Sequence, residues 1–170
     1  MAHPLVEQLR FARSEFQRCL AGVSEEDGAI RLLPMNSIGW TVAHMANQER
    51  WFWVVWPQGN MEVGVELDAW DLRSKPPSNP PLSEAWAVWG AVTAAADRYF
   101  DGLTEEQMQE HLVVDGDTRA ESVGTLLLRT IYHYWYHTGE ANAIRQQLGH
   151  TDLPEFVGKL GIEAPYRPGA

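Results

Sequence analysis

The chain of 170 residues has one cysteine, Cys19, so no disulfide can close within it, and a lone thiol fits a reducing compartment. Cys19 falls on the Leu5, Leu9, Ala12 and Phe16 side of the first predicted helix, which makes it a small core residue rather than a nucleophile. Positive charge is also scarce. Thirteen Lys and Arg against 23 Asp and Glu give a net charge of -10 with no basic patch, which argues against nucleic acid as a partner. No apolar run approaches the roughly 18 residues that span a bilayer, and no basic segment followed by an apolar one opens the sequence. A soluble, cytoplasmic protein with no membrane partner is expected. The sequence also lacks a glycine-rich phosphate loop, a Gly-x-Ser-x-Gly elbow and a cysteine pair, so nucleotide, serine-hydrolase and zinc-ribbon readings have no support. It carries no internal repeat and no low-complexity segment.

What is present is ordinary globular composition, 45% hydrophobic and 21% charged, at a length that suits one domain over residues 1–170. The unusual feature is eight tryptophans. Most are expected in a core and one or two in the wall of a pocket; their number also suggests a homodimer, since it exceeds what one small core readily hides.

Apolar positions Leu5, Leu9, Ala12, Phe16 and Leu20, with Pro4 before them and Gly22 after, predict a first amphipathic helix to about Ala21. Ser24 suits the cap of a short helical turn. Asn36 or Ser37 caps a second helix from Ile38 to Val55, with Ile38, Thr41, Met45, Phe52 and Val55 inward, His44 at the edge of that face and Pro57 as terminator. Residues 57–81, rich in Pro, Gly, Asn and Ser, predict a long connection lying over the domain, a departure from the simplest up-down bundle that suggests a crossover. Ser83 then caps a third helix, with Leu82 as a hydrophobic staple and Gly102 as its end. Thr104 and Gln107 form a capping box, and the Asp115-Gly116 pair predicts an extended or hairpin-like segment in which His111 is a surface residue. The longest helix runs from Ser122 to Leu148 with Leu126, Thr130, His133, His137, Ala141 and Ile144 in line. The tail, residues 150–170 with Pro154, Pro165 and Pro168, is irregular. These elements make an all-α chain, a four-helix bundle with its long connection between the second and third helices.

His133 and His137 stand four apart on that last helix, so both imidazoles point the same way, which is the spacing of a two-ligand metal clip. The same spacing also suits histidines packed in an aromatic core. His44, on the second helix, is a third candidate, and three protein ligands with open positions describe a catalytic metal site. The residue after His133 is Tyr134, so this is not a zinc-protease helix, and no glutamate stands three before a histidine as a di-iron bundle requires. Glu49 and Glu140 are candidates for accepting an imidazole N–H or acting as a base on metal-bound water, set against the alternative that both are solvated surface charges. Tyr134 and Tyr136 read as packing residues on other faces.

The segments Asn36-Ser-Ile-Gly-Trp-Thr-Val-Ala-His44, followed by Glu49 and Trp51, and His133-Tyr-Trp-Tyr-His137-Thr-Gly-Glu140, continuing to Ile144-Arg145, resemble the DinB-like helical-bundle proteins. That family includes thiol-dependent transferases and isomerases acting with mycothiol or bacillithiol. The resemblance implies a divalent metal, zinc or nickel, on His44, His133 and His137, and a low-molecular-weight thiol as cosubstrate. It implies a thiol S-transferase acting on a small organic molecule, in an apolar pocket built partly from Trp40, Trp51 or Trp135. Metal-dependent hydrolysis and non-catalytic metal or partner binding stay open beside it. The resemblance also adds to the expectation of a homodimer.

Overall fold

In the computed structural model, which describes residues 2–155 and 157–167, helix α1 (Pro4–Leu20) starts where the His3 ring accepts the Leu5 N–H at 3.1 Å. Its Leu9, Ala12, Phe16 and Leu20 enter the core as their spacing requires, and Cys19 is buried at its end. Ser24 caps α2 (Glu25–Ala29) and Ser37, rather than Asn36, caps α3 (Ile38–Glu49), its hydroxyl accepting from Trp40 N at 3.1 Å.

Beyond Glu49 the structure departs from the expected uninterrupted helix. Arg50–Val55 forms a π-helical turn that passes into α4 (Trp56–Gln58). The wider turn shifts the helical phase, so Trp53 and Val54 are fully buried whereas Phe52 and Val55, expected inside, are half-buried. Trp53 secures the shift by donating from Nε1 to Thr130 Oγ1 at 3.0 Å. Pro57 does not end this segment either. Its nitrogen carries no hydrogen for the Trp53 carbonyl, and Gln58 Nε2 supplies that hydrogen bond at 2.5 Å; the helix stops at Gly59, in the left-handed region at φ 64°.

The long connection does lie over the bundle, held by hydrogen bonds to its backbone. Buried Arg50 grips Val63 O at 2.9 Å, Met61 O at 3.0 Å and the Asp68 carboxylate at 2.6 and 3.0 Å, beside the 3-10 turn Val65–Ala69. Trp40 Nε1 donates to Leu72 O at 3.1 Å, and Arg31 Nη2 donates to Pro77 O and Ser78 O, both at 2.6 Å. Gly39 lies under the last part of it, where a side chain would bring a carbon within 2.4 Å of Pro80 O.

Helix α5 (Leu82–Phe100) takes Leu82 into its first turn, so Ser83 is not its cap. Glu25 of α2 fills that role, its carboxylate accepting from Leu82 N at 2.9 Å and Ser83 N at 2.6 Å, where a negative charge also suits the helix dipole. The Thr104–Gln107 capping box opens α6 (Glu105–Gln109) as expected. Strands β1 (His111–Val114) and β2 (Asp117–Ser122) pair antiparallel about Asp115 and Gly116, whose φ of 53° and 86° give a primed hairpin turn. His111 is exposed.

Ser122 caps α7 (Val123–Gln147), the longest helix. After it the chain runs irregularly to the short α8 (Leu160–Glu163) and is tied back to α1 by Arg18 to Glu155 O at 2.7 Å, Gly158 N to Glu15 at 2.8 Å and Gln8 to Ala164 O at 2.7 Å. Pro168 lies outside the described residues. The protein is thus mainly α, with α3 against both α5 and α7, and α1 against α7. None of the eight tryptophans is exposed: Trp40, Trp53 and Trp89 are buried and the other five half-buried. Among the described residues no helix is long and apolar enough to cross a membrane.

Candidate metal centre

The face that α7 turns toward α3 carries His133 and His137, and α3 answers with His44. His44 Nε2 lies 3.1 Å from His133 Nε2, which lies 3.0 Å from His137 Nε2, and one nitrogen of each ring lies within 4.8 Å of the other two. Trp40, one turn before His44 on α3, stacks on its ring with centroids 4.5 Å apart and planes at 9°, fixing its orientation. The edge of Tyr136, which is 70% exposed rather than packed as expected, meets His137 at 5.0 Å between centroids.

The other side of two rings decides what these nitrogens can do. His137 Nδ1 is 2.7 Å from Glu140 Oε2, and His133 Nδ1 is 2.5 Å from Gln48 Oε1. Each Nδ1–H therefore donates outward, which leaves the two Nε2 atoms as lone pairs facing each other at 3.0 Å. His44 can place at most one proton among three nitrogens, so at least one pair is left in repulsion unless a cation stands between. Burial, with His137 as the next cause, pushes His44 down to about 4 and His133 down to about 3, so protonation is the unfavourable remedy. A tetrahedral ion with metal–nitrogen bonds of 2.0–2.1 Å would set its ligands about 3.3 Å apart, close to the 3.1 and 3.0 Å that separate His133 from His44 and from His137, and three imidazoles are a donor set that fits zinc or nickel. The hydrogen bond to His137 holds Glu140 below the usual carboxylate range, keeping it an acceptor.

Sequence reasoning reached Glu140 but missed Gln48. The signal was available, since Gln48 stands four residues after His44 and so shares its helix face. Glu49 is placed elsewhere. The structure does not bring it to any imidazole, and it is fully buried rather than solvated. Arg13 of α1 holds it bidentately, Nε to Oε1 at 2.8 Å and Nη2 to Oε2, while Tyr134 of α7 donates to Oε1 at 2.6 Å. Trp89 of α5 donates to the Tyr134 hydroxyl at 2.8 Å, and Arg13 reaches Asp97 of α5 at 3.0 Å. One chain of polar contacts thus joins α1, α3, α5 and α7 directly behind the histidines. Burial alone would lower Arg13, but the attraction of Glu49 outweighs it and holds the guanidinium charged. Burial first, and the Glu49 charge second, push the Tyr134 hydroxyl well above its usual value, so it remains a donor.

Two cavities meet at His133 and Gln48. One, of about 610 Å³, is walled by Trp40, Trp51, Phe52, Trp56 and Leu72 and exposes His44, with Arg73 at its edge. The other, of about 490 Å³, lies against Thr125, Leu128, Arg129 and Tyr132. The π turn is what presents Trp51 and Phe52 to the first of them. Trp135, also expected there, instead packs against Phe11 at 6.0 Å between centroids.

No curated protein matches the chain. The family model described as Mycothiol-S-transferase matches residues 4–149, a span that takes in the four long helices, the long connection and all three histidines. The chain belongs to this family, one of the DinB-like helical-bundle families.

Proposed function

We propose that the protein is a metal-dependent thiol S-transferase, in which His44, His133 and His137 hold a divalent cation and a low-molecular-weight thiol is the cosubstrate. The observation that carries this reading is the convergence of three imidazole nitrogens, two of them from the histidines His44 and His133 that line an aromatic cavity. A divalent cation bound there supplies Lewis acidity that keeps a thiol ionised near neutral pH. Three neutral ligands leave its positive charge uncancelled, which favours an anionic sulfur. Glu140 and Gln48 hold two imidazoles in the required tautomer, and the network of Arg13, Glu49 and Tyr134 holds α3 and α7 in register. Trp40, Trp51, Phe52 and Trp56 exclude water and seat an electrophile, to which the sulfur forms a C–S bond as the leaving group departs with its electron pair.

The surroundings favour this over hydrolysis. Among the described residues the nitrogen cluster includes no carboxylate; Glu140 is engaged by His137, and Glu49 is fully buried in its bonds to Arg13 and Tyr134. The test is a titration of the cobalt-substituted protein with cysteine-based thiols, with thiol conjugation to 1-chloro-2,4-dinitrobenzene measured in parallel. The expected result is a thiol-dependent change in the visible spectrum and a rate abolished in His44→Ala. A spectrum indifferent to thiols, or an unchanged rate in that variant, overturns the proposal.

A further inference from the structure

The aromatic cavity continues past Trp40, Leu72 and Arg73 into a second groove of about 500 Å³ between residues 31–36 and 72–77. Together the two linings contain Arg31, Arg73 and Lys75 and no aspartate or glutamate. In a chain with 23 acidic residues and 13 Lys and Arg, that runs against composition. Among the described residues Arg73 and Lys75 are paired with no carboxylate, a state they share with Arg98, Arg119 and Arg145, whereas Arg10, Arg13, Arg18, Arg50 and Arg129 are each paired with one. The nearest acid in sequence, Asp71, turns its carboxylate back onto the amides of Arg73 and Ser74 at 3.2 and 3.0 Å, which shapes the loop and leaves the side chain of Arg73 unopposed. Arg31 braces the far end of the same loop through Pro77 O and Ser78 O.

We propose that this acid-free groove is a carboxylate subsite, and that the electrophilic substrate is an organic acid whose apolar body lies on Trp40, Trp51 and Trp56 while its carboxylate meets Arg73 and Lys75. The identification of the bound acid as the electrophile rests on the thiol-transfer reading above; the binding of an organic anion does not. A planar guanidinium matches a carboxylate in a two-point contact, and a chain of net charge -10 repels a phosphate dianion more than a monoanion. The aromatic wall then selects among carboxylates for those with an unsaturated or aromatic body.

The test is binding of two unreactive probes, 3,5-dinitrobenzoate and 1,3-dinitrobenzene, to the full chain with and without metal, followed by quenching of tryptophan fluorescence. The acid is expected to bind about tenfold or more tightly than the uncharged ring, the size of one charge-assisted contact. That preference should disappear in Arg73→Gln, invert in Arg73→Glu and shrink as salt is raised, with circular dichroism unchanged because both substitutions lie on an exposed loop. Benzoate should displace the probe at lower concentration than inorganic phosphate. Equal binding of the two probes, a preference that survives Arg73→Gln, or stronger displacement by phosphate overturns the subsite. Failure of thiol transfer with the acid preference intact sinks the proposed activity instead and leaves the anion site standing.

Discussion

Replacing Glu49 with glutamine removes one charge and almost no volume, yet the structure makes it a severe change. Arg13 is 4% exposed and Glu49 fully buried, and Arg13 is held in its charged form by that carboxylate. In Glu49→Gln the guanidinium stays charged and retains as an ionic partner only Asp97, which is 36% exposed at its side chain. Leaving one member of a buried pair uncompensated costs about 3–5 kcal/mol, a large share of the roughly 5–15 kcal/mol that keeps a domain folded. Tyr134 also loses a charged acceptor. Urea unfolding should show the midpoint falling with little change in slope. The companion variant, Arg13→Met with Glu49→Leu, removes both charges and should recover most of that loss, because the pair's desolvation cost goes with it. If the network sets the register of α3 against α7, the double variant will still bind metal more weakly than the native protein despite its stability. A Glu49→Gln variant within about 1 kcal/mol of the native protein would refute the reasoning, since exposed pairs cost no more than that.

Three further outcomes concern the centre and its supporting helices. Glu140→Gln and Gln48→Ala each release a ring that is now held from behind, and each should weaken metal binding roughly 10–100-fold while leaving the fold intact; competition against a chromogenic chelator measures it. In the metal-free protein, His44 at about 4 and His133 at about 3 sit below the ordinary imidazole value of 6.5, so the unfolded chain takes up these protons first. Stability should therefore fall as pH drops from about 6.5 toward the folded values, more gently in His44→Gln, and a urea midpoint that rises over that range contradicts the assignment. Glu25→Ala leaves two α5 amides without their acceptor and should cost about 0.5–2 kcal/mol by the same unfolding assay; no loss would show that the bridging carboxylate does not cap the helix.

The four long helices and the histidine pair were legible because their signals are local: apolar residues recur at helical spacing along each, Ser37 caps the helix that begins at the next residue, as Ser24 and Thr104 do for the short α2 and α6, and residues four apart share a face whatever surrounds them. The features that were not legible depend on partners distant in sequence. The π turn requires Trp53 to find Thr130, and the burial of Glu49 requires Arg13 from α1. Ser83 carries the usual signature of a cap, but Glu25 from α2 outcompetes it. Arg73 has no motif at all, and only the folded connection shows that it borders the cavity of His44.

The central claim is that three histidines hold one cation, and metal content measures it most directly. Protein prepared without a histidine tag and exchanged into metal-depleted buffer should retain about one divalent ion per chain, and His44→Ala and His137→Ala should each retain far less while remaining folded. Equal metal content in the native protein and the His137→Ala variant would contradict the account.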